Sequence, residues 1–235
     1  MIDVERGICL SAVNLGEWEN VPLVDELSKR FPGIVLENDA AAGLLANHWF
    51  QDFDRVPADF LYVALGQGIG CAQMSGGRLV RGQHFCAGEI GHLPAGSEGR
   101  LCSCGKTDCL QTWCGERGLL KSIADAAPRY TSISLAEVGE RVTGDAILHS
   151  ALKSALQPLA EKVATMVALT DPAALIVACR EPSLAEIVPA MLSATLEEFG
   201  LPVAVISGLS PEEASLKGGA VAVFRKAFKA ENLRL

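Results

Sequence analysis

The chain has 235 residues, a formal net charge of −8 and 49% hydrophobic residues, enough for one large or two small domains around a buried core. No run of 18 apolar residues is unbroken, so no membrane span is expected, and "MIDVERGICL" lacks the apolar stretch of a signal peptide. No Lys/Arg block exceeds two residues, which removes the footprint of a direct nucleic-acid contact; a cytoplasmic protein with no membrane partner is expected.

In chain order, "VPLVDELSKRF" spaces Val21, Leu23, Val24, Leu27 and Phe31 as a helix. "GIVLEND" reads as a short buried strand, and "AAAGLLANHWF" as a helix packed tightly on a sheet. Between them Asn38 and Asp39 stand at a strand-to-helix corner, where α/β proteins place ligand-binding groups. "FLYVAL", "CAQM" and "RLVRG", separated by glycine turns, predict a β-meander. A glycine-rich loop over 88–110 follows. Helical periods then dominate: "GERGLLKSIADAA", "SLAEVGERV" and "DAILHSALKSALQPLAEKVATMVALTDP". "ALIVACR" is a buried strand, "SLAEIVPAMLSATLEEF" a helix, "PVAVISGL" a strand and "EEASLKGGAVAVFRKAF" a last helix. The alternation predicts an α/β fold with a mixed sheet.

Eight cysteines stand in a chain without an export signal, so a disulfide framework is not expected. Cys9, Cys71, Cys86 and Cys179 lie in apolar surroundings and read as small buried core residues. The rest cluster. His92, Cys102, Cys104 and Cys109 form a His-x9-Cys-x-Cys-x4-Cys set that suits a tetrahedral structural zinc, with Gly105 supplying the backbone freedom to wrap it. Bound metal would also make a glycine-rich, apolar-poor loop rigid. The redox alternative needs Cys-x-x-Cys, which is absent; the other alternative is a set of unmetallated buried thiols. Cys114 belongs on the following helix, outside the metal shell. "LGQGIG" falls short of a dinucleotide fingerprint, since Cys71 stands where the last glycine is needed and a strand follows. Its Gly66-Gln67-Gly68 turn fits a phosphate-binding hairpin or an ordinary one equally well.

"ENDAAAGLLA", "VALGQGIGCAQMSGGRLVRG", "AGEIGH", "CSCGKTDCLQTW" and "SLKGGAVAVF" occur in the order and spacing of the ROK family of bacterial sugar kinases, open reading frames and repressors, which the chain resembles over nearly its whole length. The resemblance implies an actin-like, ribonuclease-H-like two-domain fold with a sugar cleft. Residues 1–58 would form a partial N-terminal α/β domain carrying the Asn-Asp corner, and 59–235 the C-terminal α/β domain with the zinc loop. By position, Asn38, Asp39, Glu89, His92 and Gln111 match sugar-binding residues. Asp39 matches the general base of the kinases, and Gly66, Gln67 and Gly68 a phosphate loop. His92, Cys102, Cys104 and Cys109 match the zinc set, so one imidazole nitrogen would hold metal while the other meets sugar. A homodimer is also implied.

Three departures stand out. The family's N-terminal Asp-x-Gly-Gly-Thr loop, which grips ATP, does not precede Val35, so the N-terminal domain is expected to be incomplete. Cys179 and Arg180 stand where a Gly-Gly loop approaches the nucleotide, Gln111 where a sugar-contacting Glu stands, and Gln67 where a Thr does. The sugar wall is thus expected intact and the nucleotide side damaged. The preferred reading is the sugar-sensing part of a transcriptional regulator whose DNA-binding helices lie upstream of residue 1; "NLGEWENVPL" resembles wording ahead of the Asn-Asp corner in ROK repressors. The alternatives are an ATP-dependent hexose kinase using magnesium, with Asp39 as base, and a truncated chain without activity. The ligand class implied is a hexose or an N-acetylhexosamine.

Overall fold

A computed structural model describes residues 1–12, 15–16, 18–51 and 57–228; Asn14 and Glu17 of the "NLGEWENVPL" stretch lie outside the described residues. The elements are β1 (Ile2–Asp3), β2 (Ile8–Ser11), β3 (Glu19–Val21), α1 (Leu23–Ser28), α2 (Asp39–Phe50), β4 (Phe60–Leu65), β5 (Ile69–Ser75) and β6 (Arg78–Val80). They continue with α3 (Gln111–Cys114), α4 (Glu116–Ala126), α5 (Leu135–Arg141), α6 (Ala146–Thr170), β7 (Ala174–Cys179), α7 (Ile187–Glu198), β8 (Ala204–Ser207) and α8 (Pro211–Ala227). β1, β2 and β3 make a small antiparallel sheet. The main sheet has five strands in the order β6-β5-β4-β7-β8; β4, β7 and β8 run parallel, and the β4–β5–β6 meander is antiparallel.

The period of two along β4 builds both cores. Leu61, Val63 and Leu65 join Leu175, Val177 and Cys179 beneath α4, α5, α6 and α7. Phe60 and Tyr62 face the other way, with Met74 and Ile176, and meet Leu44 and Leu45 of α2 and Val221 of α8. All six residues of β7 are buried, as a strand covered on both faces requires. Four of the helices, α2, α5, α6 and α8, start at a side-chain cap. Asn38 caps α2, Ser134 and Glu137 form a capping box on α5, Asp145 caps α6, and Ser210 with Pro211 opens α8. Among the described residues no helix is long and apolar enough to cross a membrane.

Four expectations need correction. "GIVLEND" forms no strand: residues 34–38 have no ladder neighbour among the described residues, and an extended segment without one is not a sheet member. The helix expected over 21–31 is only Leu23–Ser28, because Val21 is taken into β3 by pairing with Cys9, and Phe31 is left exposed. The helix expected from Ser183 begins at Ile187, after a 3-10 turn at Pro182–Leu184. Cys86 is exposed, while Cys9, Cys71 and Cys179 are buried as expected.

The expected boundary at 58/59 falls between α2 and β4, but α2 itself lies on the main sheet, side by side with α8. That pairing depends on Gly218: a Cβ there would stand 1.8 Å from the carbonyl oxygen of Ala42, whereas one at Gly219 would meet nothing within 4 Å. Gly218→Ala should therefore push the helices apart and lower stability by about 1–3 kcal/mol or more in urea unfolding. Gly219→Ala should be neutral or stabilise by up to about 1 kcal/mol through helix propensity. Equal behaviour of the two variants would contradict this packing.

Candidate functional site

The site gathers around the turn between β4 and β5. The strands pair as far as Leu65 and Ile69, leaving Gly66–Gly68 as a hairpin turn in which the Gly66 N–H donates to the Gly68 carbonyl at 3.0 Å. Gly66 in turn accepts the N–H of Glu116, at the head of α4, at 2.9 Å. No helix opens here, so the dinucleotide motif is excluded on geometry as well as on sequence.

On one side lies the Asn38-Asp39 corner. Asn38 has extended backbone, and its Oδ1 accepts the Ala41 N–H at 3.1 Å, so its carbonyl is spent on the helix cap and its amide N–H groups remain to donate. Asp39 is exposed at the first residue of α2, with Oδ1 on the Ala40 N–H at 2.9 Å. Ala40 rests over Gly70 of β5, where a Cβ would come within 3.1 Å of it. The corner is held from behind by Glu37: one carboxylate oxygen accepts the Asn38 N–H at 3.0 Å, and both take the Arg81 fork at 2.6 and 2.7 Å. Below it, burial pushes the Tyr62 phenol above its ordinary range, helped by the negative charges of Asp39 and Glu212 and by Cys179.

On the other side, residues 88–92 run beside β5 beyond the end of β6. Gly88 has φ +89, and a Cβ on it would sit 2.1 Å from the Cys71 carbonyl oxygen; at Gly91 the Ile69 carbonyl oxygen would be 2.4 Å away. Only glycine permits such approaches. Between them Glu89 opens a 3-10 turn, Ile90–His92; its carboxylate is half-buried and hydrogen-bonds to none of the described residues.

His92 leads into the cysteine loop. One donor atom each from His92, Cys102, Cys104 and Cys109 lies within 4.8 Å of all the others. Cys102 Sγ is 3.7 Å from His92 Nδ1, and Cys104 Sγ is 3.6 Å from Cys109 Sγ. A tetrahedron with zinc–sulfur bonds of about 2.3 Å has edges of about 3.8 Å, so the spacing fits a metal. The thiol electrostatics are compatible with one. Burial opposes ionisation of Cys102, but hydrogen bonds from Cys104, His92 and Cys109 bring its thiol down to about 6. Burial, then the Cys104 and Cys102 thiols, push Cys109 up to about 12. Three crowded thiols cannot all ionise unless a cation sits among them. Gly105, at φ +84, makes the turn between Cys104 and Cys109. Asp108 clips the loop; burial opposes its charge, but the N–H groups of Gly99 and Arg100 hold its carboxyl below the usual range. Cys114 is outside the set, its Sγ on the Ala155 carbonyl. Gln111 reaches into the set instead, with Nε2 at 3.1 Å from Cys102 Sγ.

The model of the family described as "ROK family" matches residues 1–220. The chain belongs to the ROK family. The xylose repressor of Caldicellulosiruptor bescii is 30% identical, covering 94% of this chain and 58% of that protein. The glucokinase of Thermotoga maritima is 34% identical over 56% of this chain and 41% of its own. The chain spans about half the length of such curated relatives. Among solved structures, a ROK family glucokinase from Streptomyces griseus in complex with glucose and AMPPNP superposes with a TM-score of 0.79 at 24% identity, covering 93% of this chain and 77% of that one. The fold is thus the actin-like one of ROK sugar kinases, and a sugar-related role is common to the repressor and kinase relatives.

Within this ROK chain the end of β7 has a feature the sequence alone did not reveal. Arg180 lies beside Gly66 and pairs with Glu212, at the head of α8, at 2.7 Å and with Glu116, at the head of α4, at 3.5 Å. Sequence reasoning also missed Glu37 and Arg81. Their pairing across 44 residues leaves no periodic signal. Arg81→Ala would strand the Glu37 carboxylate, whose side chain is 7% exposed. Since Arg81 is partly open to solvent, the loss should fall below the several kcal/mol of a fully buried pair, at about 1–3 kcal/mol in urea unfolding. Arg81→Lys should recover only part of it, because one ammonium cannot replace the fork. An Arg81→Ala protein as stable as its parent would contradict the role of this pair.

Proposed function

We propose that this chain is the effector-sensing part of a ROK transcriptional regulator, binding a hexose or N-acetylhexosamine. Asn38, Asp39, Glu89 and His92 form the sugar wall, and Gln111 offers its carbonyl oxygen beside them. Zinc on His92 Nδ1, Cys102, Cys104 and Cys109 would fix the imidazole tautomer and leave Nε2 for a sugar hydroxyl. Support comes from Glu89, a half-buried carboxylate without a protein partner in the same short turn as His92. Assembly as a homodimer is part of the proposal on the family resemblance alone.

The observation that carries regulator over kinase is the ion-pair bridge of Arg180. It occupies the position where the kinases are expected to present glycine, and it ties α4 to α8 beside the hairpin turn. Phosphoryl transfer relies on positioning the phosphates, so a side chain filling that approach removes more than a correctly placed Asp39 supplies. The kinase reading keeps one favouring observation: Asp39 is exposed at the mouth of the site, as a general base must be.

A panel of hexoses and N-acetylhexosamines tests both. Calorimetry should find a ligand for the parent. Glu89→Ala should weaken that ligand by about 1.5–3 kcal/mol, the cost of a charge-assisted hydrogen bond. With ATP and magnesium, turnover should stay well below about 1 s⁻¹, the low end of typical enzymes. Turnover above that level, abolished by Asp39→Asn, would make the chain a kinase; an unweakened Glu89→Ala would remove Glu89 from the wall.

A further inference from the structure

The cysteine loop closes as a small hairpin. Leu101 and Thr107 face each other in an isolated antiparallel bridge, and the Asp108 N–H donates to the Arg100 carbonyl at 2.8 Å. Cys102 and Cys104 lie inside this hairpin, and Cys109 follows directly after it. Burial of a large apolar side chain does not seat it, because its one such residue, Leu101, is 77% exposed. The neck is seated by Arg100, whose side chain is only 7% exposed. Nη1 donates to the Thr112 carbonyl of α3 at 3.2 Å and to Ser122 Oγ of α4 at 2.9 Å, and Nη2 donates to Asp125 Oδ2 of α4 at 2.9 Å. The guanidinium carbon stands over the Trp113 ring, 3.6 Å from its centroid. The same indole is met by the loop at Gly96, where a Cβ would come within 1.9 Å of it.

The residue type matters. A planar guanidinium can stack on an indole with its face while its edge donates to several acceptors at once. We infer that Arg100 is a positioning residue for the metal: it clamps the neck of the hairpin to α3 and α4, so that Cys102 and Cys104 stand near His92 and Cys109 before any metal binds. It acts through the backbone, since it makes no hydrogen bond to any of the four ligands. The clamp spans both helices, and α3 begins two residues after Cys109, so the ends of the ligand set are held by one side chain. A metal entering such a loop finds the hairpin already ordered and loses less of its binding free energy to ordering it. The inference rests on the metal reading above and adds to it that this protein, without metal, keeps the hairpin docked.

The test needs no knowledge of the sugar. Zinc affinity is measured by competition with a chromophoric chelator, and the loaded site is read from the absorption bands of the cobalt(II)-substituted protein. The state of the clamp is read from Trp113 emission, with the other two tryptophans, Trp18 and Trp49, replaced by Phe. Arg100→Gln should lower zinc affinity by about tenfold or more, within the range that supporting residues around metal ligands command. Its cobalt bands should match the parent's, because the four ligands are unchanged. Arg100→Lys should recover only part of the affinity, since an ammonium cannot stack and fork together. Trp113 emission of the parent should be nearly the same with and without zinc. Parent protein that binds no zinc overturns the metal reading and this inference with it. Parent that binds zinc, with Arg100→Gln less stable in urea but equal in zinc affinity, shows a merely structural residue and overturns this inference alone. A large shift of Trp113 emission on chelation also overturns it, because the clamp would then depend on the metal. Should Arg100→Gln fail to fold, Asp125→Ala removes one partly exposed arm of the clamp and should lower zinc affinity by about two- to fivefold; an unchanged affinity there overturns it equally.

Discussion

The close backbone approach of residues 88–91 to the first residues of β5 is the constraint on which the site depends. The carbonyls of Ile69 and Cys71 leave no room for a side chain at Gly91 or Gly88. Because the two glycines bracket Glu89 and lead straight into His92, their seating fixes where that carboxylate and that imidazole stand. β5 also carries Gly70 under the first turn of α2, so the Asn38-Asp39 corner is placed by the same strand. The groups proposed to meet the sugar, from distant parts of the chain, are thus referred to one rigid object, a strand paired with β4 from Ile69 to Met74. A site built on a strand in this way is more precise than one built on loops alone.

Electrostatics divides the site into two halves of different character. The half around His92 gathers three thiols that cannot all ionise without a cation among them. The half around Arg180 is already neutralised: its guanidinium lies between Glu116 and Glu212, where it answers two carboxylates of the protein instead of a ligand's phosphate. Glu37 and Arg81 are paired likewise, behind the Asn-Asp corner. Among the described residues the Glu89 carboxylate and the Asn38 amide donors have no protein partner, and exposed Asp39 takes only the Ala40 N–H, a set that suits the neutral polyhydroxyl ligand proposed above.

Much of the fold was legible because periods in the sequence follow burial. The apolar run "FLYVAL" became a strand whose alternate residues enter two cores, the unbroken apolar run "ALIVAC" became a strand covered on both faces, and the long helical period from Asp145 became α6. "GIVLEND" misled because apolar content suggests a strand but cannot supply its hydrogen-bonding neighbour. Cys86 misled because local apolarity does not fix exposure in a loop with a left-handed Phe85 beside it. In the site, the spacing of His92, Cys102, Cys104 and Cys109 was enough to foresee their convergence. Roles for Asn38, Asp39, Glu89 and Gln111 came from family resemblance, and the hydrogen bonds of Gln111 to the cysteine loop were invisible without coordinates. Arg81 with Glu37 and Arg180 with its two glutamates are long-range side-chain pairings, which no local pattern encodes.

The proposed role of the metal loop is to brace the wall that holds the sugar without doing chemistry itself. It is tested most directly by titrating the chain with its sugar before chelation, after chelation and after zinc is returned, while circular dichroism follows the helices and the sheet. Chelation should abolish or strongly weaken sugar binding, the helical and sheet signal should be largely retained, and one equivalent of zinc should restore the binding. Equal sugar affinity with and without metal would contradict it.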